Sequence, residues 1–546
     1  MKKIYLKNVS SLDKVLPKLN LTARERNEAS CIAGERFSYQ VAFIGNADIH
    51  GADRVNVRIE SDIKEHIKLY DVKCIPVQMP AYLEEYDEDY ISRTDGVFPD
   101  LLEPCCGTVT VSAYYYKSLW VCVENPPCGT HRIEIFFEGD GNELCGKSTF
   151  ELNVINAVLP QQKLIFTQWF HSDCISSYYG FEPLSESHWE YIDKFMKMAS
   201  DNGVNMLLTP VFTLALDTKV GGERPTVQLV DIECENDIYS FDFTNLKMWL
   251  DLCRKNNIEY IELSHFFTQW GAEHTPKIVF FENGEKIKKF GWHSDSLSPE
   301  YKSFLSQFIP ALLSYLKKNW DISKVYFHLS DEPNEKHMER YGKIHEFIKP
   351  YISEIKHFDA LSNVEFYKKG YLDEPVASTI TINNFIENNA KNLWAYYCCG
   401  EGKYHLSNRF IAMPSYRNRI MGIQLYKYGI KGFLQWGYNF YYSFHSEKLL
   451  NPFIENDGDG LFPAGDAFSV YPGKMGPLAS LRLIVFADAL NDMRALELLE
   501  SYIGKEEVVK LIDSCGEITF RDYPKDEDYI ISLREKINKL IESFCQ

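Results

Sequence analysis

The sequence predicts a multidomain β plus α/β protein, in which an N-terminal antiparallel β-sandwich is followed by a (β/α)8 TIM-like barrel with extra C-terminal helices. Its 546 residues are enough for two or more domains. Apolar residues recur with a period of two as far as about residue 160, which favours strands. Beyond that point short apolar runs alternate with helical segments, a pattern typical of βα units around a parallel sheet.

The first predicted domain covers residues 1–160. Short runs such as RVNVRIE, LWVCVEN and HRIEIFFEGDGN end in turn residues, and several such strands in succession predict the antiparallel sandwich. The segment 75–104 is different, because it is long and carries prolines and acids between its apolar residues. We interpret this segment as an ordered excursion that reaches a neighbouring domain.

The second predicted domain covers residues 161–546, and eight strands are expected in it. Eight strand–helix units are the number that closes a (β/α)8 barrel. An open doubly wound sheet is the structural alternative, although no GxGxxG or GxxxxGKS/T motif supports a nucleotide-binding version of it. Helices are expected near 243–256, near 299–318, over 476–501 and at 531–544, and a long polar loop is expected between the second strand and the helix near 243–256. The predicted strands are 163–170, 204–210, 258–266, 324–330, 354–361, 374–380, 393–400 and 431–439.

The composition of the chain limits which binding partners and cofactors we expect. The formal net charge of −19 repels phosphate groups, so we expect neither nucleic acid nor an anionic membrane as a partner. The 14 cysteines form no CxxC pair and no ligand residues cluster at metal-site spacing, so we expect no metal and no cofactor. The apolar stretch after Lys2 and Lys3 is too short for a signal peptide, which leads us to expect a cytoplasmic protein.

Two adjacent acids, Asp331 and Glu332, come directly after the fourth predicted strand. Acids are also favoured at the start of a helix, and Pro333 suits a first helical turn, so a purely structural explanation exists. However, catalytic groups of such barrels lie where the strands end, at the C-terminal face. The position of the two carboxyl groups therefore predicts that they are catalytic.

Aromatic and polar residues follow several other predicted strands. Each of them taken alone is explained by packing, because Trp and Tyr commonly fill interfaces. Together they predict an acidic cleft walled by rings, which suits a neutral sugar. The candidate substrate-binding residues are Trp169, His171, His265, Trp270, Tyr396, Trp436 and Asn439.

The motifs around these residues resemble glycoside hydrolase family 123, the β-N-acetylgalactosaminidases and their relatives. The resemblance is carried by FHLSDEPN, by the upstream TQWFHSDCI and by LTPVFTLALDTKVGGERPTVQLV. The stretch from about 432 to 546, with FLQWGYNFYYS and YPGKMGPLASLRL, is similar to the C-terminal domain of unknown function in that family. The resemblance spans nearly the whole chain.

This resemblance implies a retaining, exo-acting β-N-acetylhexosaminidase that cleaves a glycan or glycoside with a terminal amino sugar. By position in the motif, Glu332 matches the general acid/base and Asp331 matches the residue that orients the 2-acetamido group. Tyr396 is our candidate for the tyrosine that hydrogen-bonds the acetamido oxygen in such enzymes. The adjacency of the two acids also agrees with substrate assistance. A protein nucleophile and an acid/base must flank opposite faces of the anomeric carbon, and two neighbouring residues rarely do so.

Two alternatives remain open at this stage. Many retaining barrel enzymes use an acid/base after strand four and a nucleophilic Glu after strand seven, and Glu332 and Glu401 lie at those places. Such an enzyme would act on a non-acetamido sugar. The other alternative is a carbohydrate-binding protein without turnover.

Overall fold

The computed structural model describes residues 2–49, 52–84, 86–282 and 284–545. Its N-terminal part contains two five-stranded sheets, with the strand orders β1-β3-β8-β5-β6 and β2-β10-β9-β4-β7. The strands are β1 Ile4–Ser10, β2 Glu28–Ile32, β3 Arg36–Gly45, β4 Ala52–Glu60, β5 Ile67–Val77, β6 Gly96–Pro104, β7 Thr108–Ser112, β8 Lys117–Glu124, β9 Gly129–Glu138 and β10 Leu144–Ile155.

Apolar and polar residues alternate along these strands, and the apolar faces of the two sheets form a shared core. Ile133, Ile135 and Phe137 of β9 are buried in one cluster with Val41 of β3 and Val121 of β8, which belong to the other sheet. One pairing differs from the antiparallel prediction, since β2 runs parallel to β10. The reason is that β2 continues through a short turn into β3 of the opposite sheet and does not form a hairpin with β10.

The excursion between β5 and β6 reaches the C-terminal part of the chain, as the sequence indicated. Tyr90 donates a hydrogen bond to the Gly402 carbonyl over 2.8 Å. The carboxylate of Asp87 accepts two hydrogen bonds from the buried guanidinium of Arg417, at 2.8 and 3.0 Å. Because this ion pair is buried, it fixes the excursion against the first turn of the helix Tyr416–Tyr428.

The C-terminal part is built around a closed barrel of eight strands, each hydrogen-bonded to the next in chain order. The ring closes where Phe166 of its first strand pairs in parallel with Phe433 of its last. The barrel strands are β11 Ile165–Gln168, β12 Met206–Thr209, β15 Tyr260–Leu263, β18 Val325–His328, β19 Lys356–Leu361, β20 Glu374–Ser378, β21 Trp394–Tyr396 and β22 Gly432–Gln435, with β13, β14, β16 and β17 inserted between them. Each lies inside a predicted run, and the open-sheet alternative is wrong.

Helices cover the outside of the barrel. Helix α4 shows why the sequence folds this way locally, because Ser298 caps its N-terminus by accepting from the Tyr301 N–H and Pro299 occupies the first turn. The helices are α1 Ser172–Tyr179, α2 Glu186–Ser200, α3 Thr244–Lys255, α4 Pro299–Asn319, α5 Met338–Ile352, α6 Glu365–Lys368, α7 Ile382–Glu387, α8 Tyr416–Tyr428, α9 Leu481–Ile503, α10 Lys505–Ile512 and α11 Glu527–Cys545.

Two insertions into the barrel form a four-stranded sheet that the sequence analysis treated as loops. Its order is β14-β13-β16-β17, with β13 Asp231–Glu235, β14 Ile238–Asp242, β16 Ile278–Glu282 and β17 Glu285–Phe290. The signal was present in the sequence, because Ile232 and Cys234 alternate with exposed acids before the turn residues Asn236 and Asp237. The polar composition of the segment obscured this alternation.

The C-terminal region joins the two parts of the chain. The run from Gly476 was expected to be helical throughout, but Gly476–Ala479 form β24, which pairs with β23 Val470–Gly473, and α9 begins after the capping residue Ser480. Arg534 of α11 makes a buried, two-pronged ion pair with Glu35, with both contacts at 2.7 Å. Because β10 ends at 155 and β11 begins at 165, we keep the division at 160/161 as a proposal. Over the described ranges, no helix is long and apolar enough to cross a membrane.

Candidate active site

The tandem acids lie at the C-terminal mouth of the barrel, three and four residues beyond the end of β18. Glu332 has a φ of 45°, in the left-handed region that a non-glycine residue rarely adopts. Its backbone N–H donates to the Ala360 carbonyl of β19 over 3.0 Å, which holds the turn in place. Strain of this kind concentrates at functional sites, and here it separates the directions of two neighbouring carboxyl groups.

Asp331 is the buried member of the pair. One carboxylate oxygen accepts a hydrogen bond from the Gln269 amide over 3.0 Å, and its backbone carbonyl accepts from the Trp270 N–H, also over 3.0 Å. Loss of hydration raises the pKa of Asp331 well above its usual range, and the adjacent Glu332 raises it further. The loop after β15 therefore fixes the position of this carboxyl group, and the surrounding protein determines its charge.

Glu332 is exposed to solvent, so a ligand can reach it. Its carboxyl group nevertheless lies within the crowded mouth of the barrel, where partial loss of hydration raises its pKa. The Tyr396 hydroxyl, from the end of β21, donates to it over 2.9 Å and opposes that shift. The pair thus consists of one sequestered and one accessible carboxyl group, and both are easier to protonate than in water.

Beneath the acids lies a buried cluster of charges that the sequence analysis did not single out as a unit. His328, the last residue of β18, has its Nδ1 3.0 Å from Glu262 of β15 and its Nε2 2.7 Å from Asp359 of β19. Burial opposes the positive charge of His328, but the two carboxylates outweigh this effect and raise its pKa to about 10. The sequence did carry a signal for this cluster, because each of the three apolar strands contains a charged or titratable residue.

His265 lies beside this cluster, with its ring centroid 4.0 Å from that of His328. It is buried, and neither ring nitrogen has a hydrogen-bond partner in the described part of the chain. Burial and the charge of His328 lower its pKa well below the usual range. Potential ligand atoms of Glu262, His265 and His328 lie within 4.8 Å of one another. Both nitrogens of His328 face carboxylates in ion pairs, whereas those of His265 have no such partner in the described part of the chain.

Three of the predicted sugar contacts have internal partners. The indole N–H of Trp169 donates to Glu262 over 3.0 Å. His171 contacts the Trp436 carbonyl over 3.0 Å and the Arg224 guanidinium over 3.2 Å. Asn439 bonds the backbone N–H and carbonyl of His171 through its amide, at 2.8 and 3.0 Å. All three side chains are buried, and their contact with a sugar stays a prediction.

Two other predicted contacts lie nearer to solvent. Trp270 is 39% exposed and adjoins Asp331 through its backbone, with its ring 5.6 Å from that of His445. Trp436 is partly buried against the barrel interior, and its indole N–H donates to Asp466 over 2.8 Å. With Tyr396, these rings remain our candidates for contact with a bound sugar.

Glu401, the alternative nucleophile, is buried. One of its oxygens accepts from the Ser378 hydroxyl and the other from the Cys398 N–H, the latter over 2.7 Å. Burial raises the pKa of Glu401 to about 7, although both hydrogen bonds oppose this shift. The position of Glu401 after β21 agrees with the alternative in which it is the nucleophile. However, its carboxylate is buried and both of its oxygens accept hydrogen bonds, which does not favour attack on a sugar.

A closed barrel with neighbouring carboxyl groups at its C-terminal mouth is an arrangement that glycoside hydrolases of the barrel type use. Residues 169–499 match the family model described as "Glycoside hydrolase 123, catalytic domain", which is more than half of the chain. The chain therefore belongs to glycoside hydrolase family 123 and is an enzyme that hydrolyses glycosidic bonds.

One solved structure shows the same fold. A family 123 glycoside hydrolase from Clostridium perfringens, studied for glycolipid glycan hydrolysis, superposes with a TM-score of 0.74 at 16% identity, covering 99% of this chain and 98% of that one. At this identity the likeness shows the fold alone. A β-D-glucuronidase from Dictyoglomus thermophilum gives a TM-score of only 0.35 at 9% identity, covering 90% of this chain and 69% of that one, and carries no argument. No curated protein matches the chain.

Proposed function

We propose that the chain is a retaining, exo-acting β-N-acetylhexosaminidase, similar to the β-N-acetylgalactosaminidases, in which the 2-acetamido group of the substrate is the nucleophile. The observation that carries this proposal is the contrast between the carboxyl groups. Glu332 is accessible and next to a buried Asp331, whereas Glu401 is buried with hydrogen bonds to both of its oxygens. A site of this kind is suited to a substrate that supplies its own nucleophile.

The proposed reaction has two steps. First, the acetamido oxygen attacks the anomeric carbon and the bond to the leaving oxygen breaks, while Glu332 gives that oxygen its proton. Asp331 accepts the amide N–H and stabilises the positive charge of the oxazolinium ring as it forms. In the second step the Glu332 carboxylate takes a proton from water, which attacks the same carbon and reopens the ring. Two inversions give net retention.

The pair must begin with one proton, on Glu332, and one negative charge, on Asp331. Both carboxyl groups have raised pKa values, because each loses hydration and, for Asp331, because Glu332 is close. Such a coupled pair loses its two protons in separate steps, so a form with a single shared proton is populated over a range of pH. The mechanism requires the proton of that form to be on Glu332, whereas loss of hydration and the neighbouring carboxyl group favour it on Asp331, so the mechanism needs a group that favours the Asp331 anion.

Tyr396 has one hydroxyl proton to give. In the structure it donates that proton to Glu332 over 2.9 Å. Contact with an acetamido oxygen therefore requires the hydroxyl to turn from Glu332 to the substrate. This exchange also favours catalysis, because a protonated Glu332 no longer needs the tyrosine as a donor.

A chromogenic screen containing β-GalNAc, β-GlcNAc and non-acetamido glycosides tests the proposal. We expect turnover of the 2-acetamido sugars alone, with β-GalNAc as the first candidate, and inhibition by a thiazoline mimic of the oxazolinium ring. Turnover of a non-acetamido sugar, together with labelling of Glu401 by a 2-fluoro sugar, would instead establish the protein-nucleophile mechanism. Sugar binding without hydrolysis of any glycoside would contradict both mechanisms.

A further inference from the structure

The buried charges below the tandem acids have no role in the steps above. Glu262, His328 and Asp359 belong to three successive barrel strands, β15, β18 and β19, and all are fully buried. Their position matters because the proposed mechanism needs one carboxyl group of the pair charged and the other protonated. The inference below rests on that proposed function.

We propose that His328 is a positioning residue: a buried imidazolium, held by Glu262 and Asp359 beneath the tandem acids, that favours the anionic form of Asp331 and so opposes the effect of burial. Glu262 lies 3.0 Å from one ring nitrogen and Asp359 lies 2.7 Å from the other. A neutral imidazole has one N–H and one lone pair, so it cannot donate to both carboxylates. Two anions on opposite sides of the ring therefore favour the doubly protonated form.

The contacts of the His328 ring differ in strength. The approach of Asp359 to Nε2 is short but off line for a hydrogen bond, so it acts as an ion pair. The Ala360 N–H also lies 3.4 Å from Nε2, but this distance is at the outer limit of a hydrogen bond. The carboxylate at 2.7 Å is the stronger partner by Coulomb attraction.

The network is connected to the acids by the backbone. The second oxygen of Asp359 accepts a hydrogen bond from the Ser330 N–H over 3.2 Å and another from the Tyr341 hydroxyl over 2.8 Å. Ser330 is the residue directly before Asp331. The N–H of Glu332 donates to the carbonyl of Ala360, the residue after Asp359. The ion pair with His328 therefore orients the same carboxylate that fixes the turn carrying both acids.

The charge of His328 acts on one member of the pair more than on the other. The nearby carboxyl groups of Glu332, Asp359 and Glu262 oppose the ionisation of Asp331, whereas His328 favours it. Glu332 is influenced chiefly by its loss of hydration and by Tyr396. The imidazolium thus favours the state in which the negative charge is on Asp331 and the proton is on Glu332.

The neighbouring histidines do not supply a competing charge. His265 contacts the His328 ring and is neutral, since burial and His328 lower its pKa well below the usual range. His357 lies two residues before Asp359 on β19, and burial lowers its pKa to about 4. His357 is therefore a matched control: it is a buried, neutral histidine of the same barrel.

The first measurement is ¹⁵N NMR of the full chain labelled at histidine, with the His328 signal assigned by its loss in His328→Asn. We expect both ring nitrogens of His328 to be protonated from pH 6 to 8. A neutral ring in that range overturns the proposal, and the protonation state itself is read on the wild-type chain. Bound zinc or another transition metal in the purified protein, found by elemental analysis, overturns it as well, because the ring would then be a ligand.

The second measurement is the pH profile of kcat/KM for His328→Asn and His357→Asn. With the cation removed, the ionisation of Asp331 becomes harder, so the acidic limb should move upward by about one pH unit. Activity on that limb then falls about tenfold. His357→Asn should leave the limb in place. An unchanged limb in His328→Asn, with folding confirmed by circular dichroism, overturns the proposal.

These outcomes are separable from failure of the proposed function. If the thiazoline mimic does not inhibit but His328 is doubly protonated, the substrate-assisted mechanism is wrong and the ion pair remains. If the mimic inhibits but His328 is neutral, the mechanism remains and the role of His328 is wrong.

Discussion

The change Glu332→Gln isolates acid catalysis from the other properties of the site. Glutamine has the size of glutamate and keeps an oxygen that accepts the Tyr396 hydroxyl proton, so the contact at 2.9 Å can persist. It cannot, however, protonate a leaving oxygen. General acid–base catalysis typically contributes 10²–10⁴-fold, so kcat on an unactivated glycoside should fall by about that factor, or about 3–5 kcal/mol in barrier height.

The assay compares two β-N-acetylhexosaminides with different leaving groups. A 4-nitrophenyl group departs with little help, so Glu332→Gln should lose less activity on it than on an alkyl glycoside. Glu401→Gln is the matched control, because it makes the same chemical change at a carboxyl group that accepts from Ser378 and Cys398. We expect kcat for this control to stay within about tenfold of wild type, since its role in the proposal is structural.

Two results would refute this reasoning. One is a Glu332→Gln enzyme with near wild-type kcat on the alkyl glycoside, which would exclude Glu332 as the acid. The other is a loss in Glu401→Gln as large as that in Glu332→Gln, on both substrates and without a change in melting temperature. The second result would identify Glu401 as the nucleophile and remove the need for substrate assistance.

Four further predictions concern Asp331, Tyr396, His328 and Asp87. Asp331→Asn should lower kcat on a 2-acetamido substrate about 10²–10³-fold, because the oxazolinium charge loses its anion; steady-state kinetics near wild type would contradict this role. Tyr396→Phe should lower kcat about 10- to 100-fold through one lost charge-assisted hydrogen bond, and a change in KM alone would indicate ground-state binding instead. Since the folded-state pKa of His328 is raised from 6.5 to about 10, its ion pairs should stabilise the protein fully below pH 6.5 and progressively less as pH rises toward 10. Melting temperatures across that range should fall more in wild type than in His328→Asn. Asp87→Ala should destabilise the fold by about 3–5 kcal/mol, because it leaves the Arg417 guanidinium buried without its partner; an unchanged thermal melt would show that the excursion contributes nothing to stability.

Local patterns in the sequence were sufficient for the main architecture. The eight apolar runs of the barrel are short, buried and separated by helical segments, and each run contains the strand that forms. The four-stranded insertion was missed although Ile232 and Cys234 alternate as a half-buried strand does, and although β16 reads as an apolar run of strand length. The start of α9 was misplaced although Gly476, Pro477 and the capping residue Ser480 are local signals that the helix begins later, and Gly476–Ala479 instead pair with β23.

The candidate site was predicted in part. Asp331 and Glu332 could be placed at the mouth of the barrel from the sequence, because the ends of parallel strands meet at one face. The sequence could not show that Trp169, His171 and Asn439 have internal partners, because each partner lies on a different strand or loop. Their roles toward a sugar stay a prediction, as do those of Tyr396, Trp270 and Trp436.

The sequence by itself determined the order of elements, the closed barrel and the two acids after its fourth strand, since these follow from local periodicity and from the geometry of strand ends. Tertiary structure alone decided which acid is accessible and which is sequestered, and it brought His328 between Glu262 and Asp359. The reason is that accessibility and ionisation depend on every group within a few ångströms, and the closed barrel gathers those groups from distant parts of the chain.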